Sequence, residues 1–203
     1  MAVTRDQFQA GMTYDAYKQQ MTRNREQLEQ NERTLQLQAD DLNAFKSLPR
    51  ALNVLALGED WCGDVIANLP ILGRIANESG KLNVRVLLRD TEPGNTVMNQ
   101  YLNRGEFRSI PVFVFLDEGF KDRGHWIERP GSVTKRREEE RRKLYASHPG
   151  WGSPDTPIGE LPENVRTEVQ AATAQMRQEL ASWANQEVVK ELRGLAESAA
   201  ASS

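Results

Sequence analysis

Between Leu57 and Gly63 the chain passes from a buried strand into a helix. Asn53-Val54-Leu55-Ala56-Leu57 is a short apolar run of the kind that forms a strand covered on both faces, and Gly58-Glu59-Asp60 punctuates it. From Gly63 the pattern reads as helix through Ile75, Ala76 and Glu78 until Gly80 stops it. The chain's one cysteine, Cys62, therefore falls at or next to a helix N-terminus. Unpaired backbone N–H groups and the helix dipole there favour a negative sulfur. A single cysteine is otherwise most often a small buried hydrophobe, so the residues that follow decide its reading.

Those residues carry a family pattern. Trp61-Cys62-Gly63 begins it, and Pro70-Ile71-Leu72 follows with the proline eight positions after the cysteine. Ile75-Ala76 and Gly80-Lys81-Leu82 continue it, Asp90-Thr91-Glu92-Pro93-Gly94 supplies an Asp-x-x-Pro-Gly loop, and Arg108-Ser109-Ile110-Pro111 leads into the apolar strand Val112-Phe113-Val114-Phe115. In this order and spacing the chain resembles the thioredoxin-like family over roughly residues 51–130. The resemblance implies an α/β fold, a thioredoxin-like three-layer α/β/α sandwich with a mixed central sheet, here with extra N- and C-terminal helices. Strands containing Val54, Val84, Val112 and Trp126 would build the sheet.

The matched prolines have physical reasons of their own. Pro70 lies inside the helix, where it removes a backbone donor and kinks the chain, at a cost of about 3 kcal/mol if nothing demanded it. Pro111 opens a strand, an allowed place for proline. The resemblance implies a cis Ile110–Pro111 bond facing the sulfur, with the neighbouring backbone free to pair with an extended substrate. It also implies that Cys62 is the catalytic residue, with Trp61, Gly63, Asp64 and Pro111 supporting it and Ile110 on the substrate side.

Val65 stands where dithiol relatives carry the resolving cysteine. With no other cysteine in 203 residues no internal disulfide can form, so any redox cycle needs an outside thiol. The expected chemistry is monothiol: a mixed disulfide with a low-molecular-weight thiol or a client protein disulfide, released by a further thiol. The competing reading is a non-catalytic binding module that uses the groove around Trp61 and Pro111. A single-cysteine peroxidase lacks support, because Glu59 occupies the position three before Cys62 where that chemistry needs Thr or Ser.

Around the sulfur, the helix end and nearby arginines favour the thiolate, whereas Glu59, Asp60 and Asp64 oppose it. Glu59 and Asp60 read as a solvated loop, and Asp64 as a first-turn carboxylate or a proton-transfer group. Val84 to Leu88 reads as the next parallel strand, so Arg89 emerges at the sheet edge where open α/β folds collect ligands. Arg108 stands three residues before Pro111. Either arginine could hold the carboxylate of a small thiol or stabilise the thiolate; the alternative is pairing with Asp90 and Glu106. His125 and His148 have neither the spacing nor the neighbours of a metal site, and the reading calls for no cofactor.

A net charge of −3 gives no reason to expect nucleic acid. No apolar run is long enough to span a bilayer, and the first residues hold no apolar core followed by a cleavage site. With one unpaired cysteine, a reducing cytoplasmic setting is the expectation.

The expected organisation is an N-terminal helical extension over 1–50, a core over 51–147, a linker loop over 148–162, and a C-terminal amphipathic helix with a disordered tail over 163–203. Thr13 reads as the cap of a helix carrying Tyr14, Tyr17, Met21 and Leu28, and a second helix carries Leu35, Leu42, Phe45 and Leu48. Residues 125–129 read as the last antiparallel strand, and Ser132 as the cap of a helix from Lys135 to Tyr145 with a salt-bridged solvent face. Val165, Val169, Ala172, Met176, Leu180 and Trp183 make one apolar stripe on a long helix. That stripe needs a partner surface: the protein's own core first, a second subunit next, a membrane last. From Glu197 on, the tail is expected to be disordered.

Overall fold

The computed structural model describes residues 3–201. Two compact units divide the chain, one reaching Arg129 and resuming at Val188, the other Pro130–Glu187.

The first unit is built on a mixed sheet of four strands in the order β2-β1-β3-β4: β1 (Leu52–Gly58), β2 (Leu82–Leu88), β3 (Val112–Leu116) and β4 (Asp122–Ile127). β1 and β2 are parallel, whereas β3 runs antiparallel to both β1 and β4. Every residue of β3, and Val54 through Gly58 of β1, is buried, so both faces of the sheet are covered in an α/β/α sandwich. The helices of this unit are α1 (Arg5–Gln9), α2 (Tyr14–Gln20), α3 (Arg25–Thr34), α4 (Ala39–Lys46), α5 (Gly63–Ser79) and α6 (Gly94–Met98). β2 is an edge strand, and the backbone of Met12 pairs with Val86 in both directions, at 2.9 and 2.8 Å, which blunts that edge.

Pro70 sits inside α5 and leaves the Ile66 carbonyl without its helical donor. Asn31 of α3 supplies the replacement, its side-chain nitrogen donating to the Ile66 carbonyl at 2.9 Å. The N-terminal extension thus repairs the helix that follows the cysteine. Asn31→Leu is expected to strand that carbonyl and lower stability by about 1–3 kcal/mol. A drop in the urea midpoint with an unchanged slope would show it.

Several details differ from the sequence reading. α1 was not anticipated; Thr4 and Gln7 close a reciprocal capping box around its first turn. β4 begins at Asp122, ahead of His125, and Glu128 leaves it with φ of 64°. Ser132 does not cap the next helix: α7 (Gly131–Ser147) starts after Pro130, and the Ser132 hydroxyl donates to Glu187 at 2.6 Å.

The second unit holds α7, two short 3₁₀ turns (Pro149–Trp151 and Ile158–Glu160) and α8 (Glu163–Glu179). Its core joins Tyr145, Trp151, Leu161 and Val169. The segment 148–162 is therefore not a bare linker. Trp151 is buried there, its ring N–H donating to Glu168 at 2.8 Å and His148 stacked on it at 4.0 Å between centroids. On α7, Glu140 pairs with Arg136 at 3.0 Å and with Lys143 at 2.9 Å.

The long amphipathic helix is broken at Leu180 into α8 and α9 (Ala181–Ala201). Of the stripe over 165–183, Val169 joins the core of the second unit, whereas past its end Val188, Val189, Leu192, Ala196, Ala199 and Ala200 lie in the core of the first. The tail is ordered helix with buried alanines through Ala200, because these small residues fit closely against that core; Ser202 and Ser203 lie outside the described residues. Trp126 of β4 donates its ring N–H to Glu191 of α9 at 2.7 Å.

Candidate functional site

Cys62 is delivered by the turn between β1 and α5. Its amide donates to the Glu59 carbonyl at 3.2 Å, its φ and ψ of −86° and 118° make it the N-cap of α5, and its carbonyl receives the Ile66 amide at 3.0 Å. Facing it is the segment before β3, where the Ile110–Pro111 peptide is cis. The Cys62 thiol donates to the Ile110 carbonyl at 3.5 Å, which brings three of the expected site residues together. The sulfur is half-buried, and the Trp61 ring next to it is 45% exposed. Val65, one turn along, is wholly buried.

Electrostatics around the sulfur favour its neutral form. Burial is the largest influence and pushes the Cys62 thiol up from its ordinary value; the amides of Val65 and Asp64 pull the other way, the Asp64 carboxylate raises it and Arg129 lowers it. Those amides favour the thiolate without closing a capping hydrogen bond. Donation to the Ile110 carbonyl requires the proton, so it too belongs to the neutral thiol.

Asp64 is buried and paired with Arg129, whose Nε donates to Oδ1 at 3.2 Å while a terminal nitrogen engages Oδ2. Glu128 shares that guanidinium at 2.6 Å. Asn68, also buried, donates to the Glu128 carbonyl at 2.9 Å, and the Glu128 amide donates to the Pro111 carbonyl at 2.7 Å. α5, the end of β4 and the proline segment are thereby clamped behind the sulfur. Arg129 was not singled out from the sequence. Its only signal there was its place as the final residue of the last expected strand, which does not reveal an ion pair 65 residues away.

Arg89 and Arg108 take different parts. Arg89 grips Asp90 with two bonds, at 2.8 and 2.9 Å, donates to the Arg108 carbonyl at 3.1 Å, and lies over the Trp61 ring at 4.9 Å from its centroid. It is one of the charges that feel Cys62. Arg108 contributes its backbone to this cluster; its guanidinium is held by Asn95 of α6, at 2.6 Å, and by Asn99, which caps the end of that helix. Gly63 begins α5 and is exposed.

Glu59 and Asp60 are not the solvated loop the sequence suggested. Glu59 is buried and accepts from the Asp90 amide at 2.8 Å, tying the ends of β1 and β2 together. Its carboxyl is raised by that burial, partly offset by the amide. Asp60 anchors the extension: one oxygen accepts from the Thr22 amide at 2.8 Å, the Thr22 hydroxyl at 3.1 Å and the Arg23 amide at 3.0 Å. Burial opposes its ionisation, but these donors hold its pKa below the ordinary value.

Among the described residues there is no cluster of His, Cys, Asp and Glu that could hold a metal ion, and no helix long and apolar enough to cross a membrane.

Known proteins can now be set beside this geometry. The sequence profile described as thioredoxin matches residues 11–141. No curated protein matches the chain. Among solved structures, the crystal structure of an HIV epitope-scaffold is similar with a TM-score of 0.65 at 16% identity, covering 97% of this chain and 98% of that one. A protein of unknown function from Pseudomonas aeruginosa is similar with a TM-score of 0.61 at 17% identity, covering 96% and 99% of the respective chains. At these identities the two structures speak for the fold.

Proposed function

This chain belongs to the thioredoxin family, and from that premise we propose that Cys62 carries out monothiol thiol–disulfide exchange. The observation that carries the proposal is the meeting of a partly exposed Cys62 at the N-terminus of α5 with the Ile110 carbonyl beside Pro111, while Val65 is buried in the position one turn on.

In this reading the thiol loses its proton to solvent and the thiolate attacks one sulfur of a disulfide. A new S–S bond joins Cys62 to the substrate, and the other substrate sulfur leaves as a thiolate that takes up a proton. Because Val65 offers no second sulfur, an external thiolate must attack the mixed disulfide, displacing the Cys62 thiolate and closing a disulfide with the captured group. Electrons pass between substrate thiols, and the protein returns unchanged. No cofactor is needed. The raised thiol pKa fits a site whose reactivity increases with pH rather than one holding a thiolate at neutrality. A reducing compartment would supply the resolving thiol.

The substrate would be a low-molecular-weight disulfide or a client protein disulfide. Arg89 is the better placed arginine for an anionic thiol, which would have to compete with Asp90 for it. A second reading, a binding module without turnover, draws on a separate observation: among the described residues, Trp61 and Phe107 are the large hydrophobic side chains exposed to solvent, at 45% and 52%. Alkylation of the folded protein tests the first reading. Cys62 should react with iodoacetamide under native conditions, faster as pH rises. Reaction only after unfolding would make it an inert packing residue and leave the binding reading standing.

A further inference from the structure

The Ile110 carbonyl meets the sulfur because the chain is held on either side of it, and both holds lead to Glu128. Downstream, the Pro111 carbonyl accepts the Glu128 amide at 2.7 Å. Upstream, the side-chain nitrogen of Asn103 donates to the Ser109 hydroxyl at 3.2 Å and to the Glu128 carboxylate at 3.0 Å, one hydrogen for each. Arg89 adds a bond one residue further away, to the Arg108 carbonyl at 3.1 Å. Asn103 therefore ties the residue just before Ile110 to the same anchor that holds the residue just after it.

The anchor is firmly set. Just past the end of β4, Glu128 takes a φ of 64°, left-handed backbone that residues other than glycine adopt only at a cost. Four contacts keep it there: its amide on Pro111, its carbonyl receiving Asn68 at 2.9 Å, and its carboxylate between Asn103 and Arg129, the latter at 2.6 Å. Asn103 is fixed in turn by its own backbone, whose amide donates to the Phe107 carbonyl at 2.7 Å and whose carbonyl receives the Phe107 amide at 3.0 Å. Those bonds close the loop leading to Ser109 without using the side chain, which is left to join Ser109 to Glu128.

We propose that Asn103, anchored on Glu128, is a positioning residue for Cys62 that holds the Ile110 carbonyl at the sulfur through Ser109. This rests on the monothiol reading and deepens it, by naming what sets the sulfur's resting state. The Cys62 thiol donates to that carbonyl at 3.5 Å; a thiolate has no hydrogen to donate, and the contact turns from a bond into a repulsion. A carbonyl held in place thus favours the protonated sulfur between turnovers, and freeing it makes the thiolate easier to form. Asn103 and Ser109 carry no charge, so replacing them leaves in place every charged or titratable group around the sulfur: Asp64 from α5, Glu128 and Arg129 from the end of β4, Arg89 from the end of β2, Tyr17 from α2, and Glu59 and Asp60 from the turn itself.

The test is the pH profile of iodoacetamide alkylation of the folded full-length chain, compared for wild type, Asn103→Leu, Ser109→Ala and the double variant. Each single replacement should lower the midpoint by about half a pH unit, which is about threefold faster alkylation at a fixed pH below it. Because the two side chains act through one hydrogen bond, the double variant should move no further than either single one. Above the midpoint, where the sulfur is ionised in every variant, the rates should stay close to wild type. A loop that had merely loosened would instead raise the rate at every pH and leave the midpoint where it was. Ser109→Ala is the gentler change and reads the same bond by itself if Asn103→Leu does not fold. Midpoints at or above the wild-type value, shifts that add in the double variant, or a faster reaction with an unmoved midpoint overturn the inference and leave the monothiol reading intact. A wild-type Cys62 that reacts only when unfolded overturns both.

Discussion

Val65→Cys should turn this monothiol protein into a dithiol one. Val65 lies three residues after the N-cap Cys62, inside the first turn of α5, and backbone geometry there keeps residues at that spacing within the span of about 4.4–6.8 Å between Cα atoms that a disulfide accepts. The wild-type side chain is wholly buried and packs toward Gly58. A thiol in its place is smaller and apolar enough to stay, at a packing cost of about 1 kcal/mol. After treatment with glutathione disulfide, the variant should first bind glutathione at Cys62. The new thiol should then expel it, leaving an internal disulfide, one glutathione released, and a mass two hydrogens below the reduced protein. Intact mass spectrometry reads this directly. An adduct retained in the variant as fully as in wild type would mean that the two positions do not face each other as the helix requires.

Gly94→Ala should be the most damaging of the small substitutions. A methyl group there would lie 2.0 Å from the Leu88 carbonyl oxygen and 2.9 Å from its carbon, both backbone atoms at the end of β2. Neither can swing aside as a flexible side chain would. The loop from Arg89 to Pro93 must move instead, and with it the Arg89–Asp90 pair, the Arg89 contact with Trp61 and the Asp90 amide that satisfies buried Glu59. The expected loss is about 3 kcal/mol or more, at the upper end for overpacking. Gly150→Ala is the control: its added methyl meets nothing within 4 Å and should change stability by less than about 0.5 kcal/mol. Chemical denaturation of the two variants separates them, and equal midpoints would contradict the packing described at Gly94.

The central layer was legible in the sequence because each of its signals is local. The apolar runs at 53–57, 84–88 and 112–115, the punctuation at Gly58 and Gly80, and the placing of Pro70 and Pro111 each announce a backbone requirement at the position where it acts. What the sequence hid are pairings between distant segments. Nothing near Asn31 says that it completes a helix 35 residues on, and nothing near Arg129 says that Asp64 awaits it. Glu59 and Asp60 look like loop carboxylates in one dimension; they are held because Asp90 and the Thr22 and Arg23 amides fold onto them. The Thr4 and Gln7 capping box was present to be read, but it precedes a helix of only five residues with little periodicity. The C-terminal stripe over 165–183 was visible, whereas the burial of the helix past its end was not, since small residues such as Ala196, Ala199 and Ala200 mark close packing without naming the surface they pack on.

The most direct measurement is to expose the native protein to glutathione disulfide, record its intact mass, and then add free thiol. One glutathione per chain, bound at Cys62, absent from Cys62→Ser and removed by the added thiol, is the result expected of a monothiol exchange site. A native protein that takes up no glutathione, yet does so once unfolded, would contradict it.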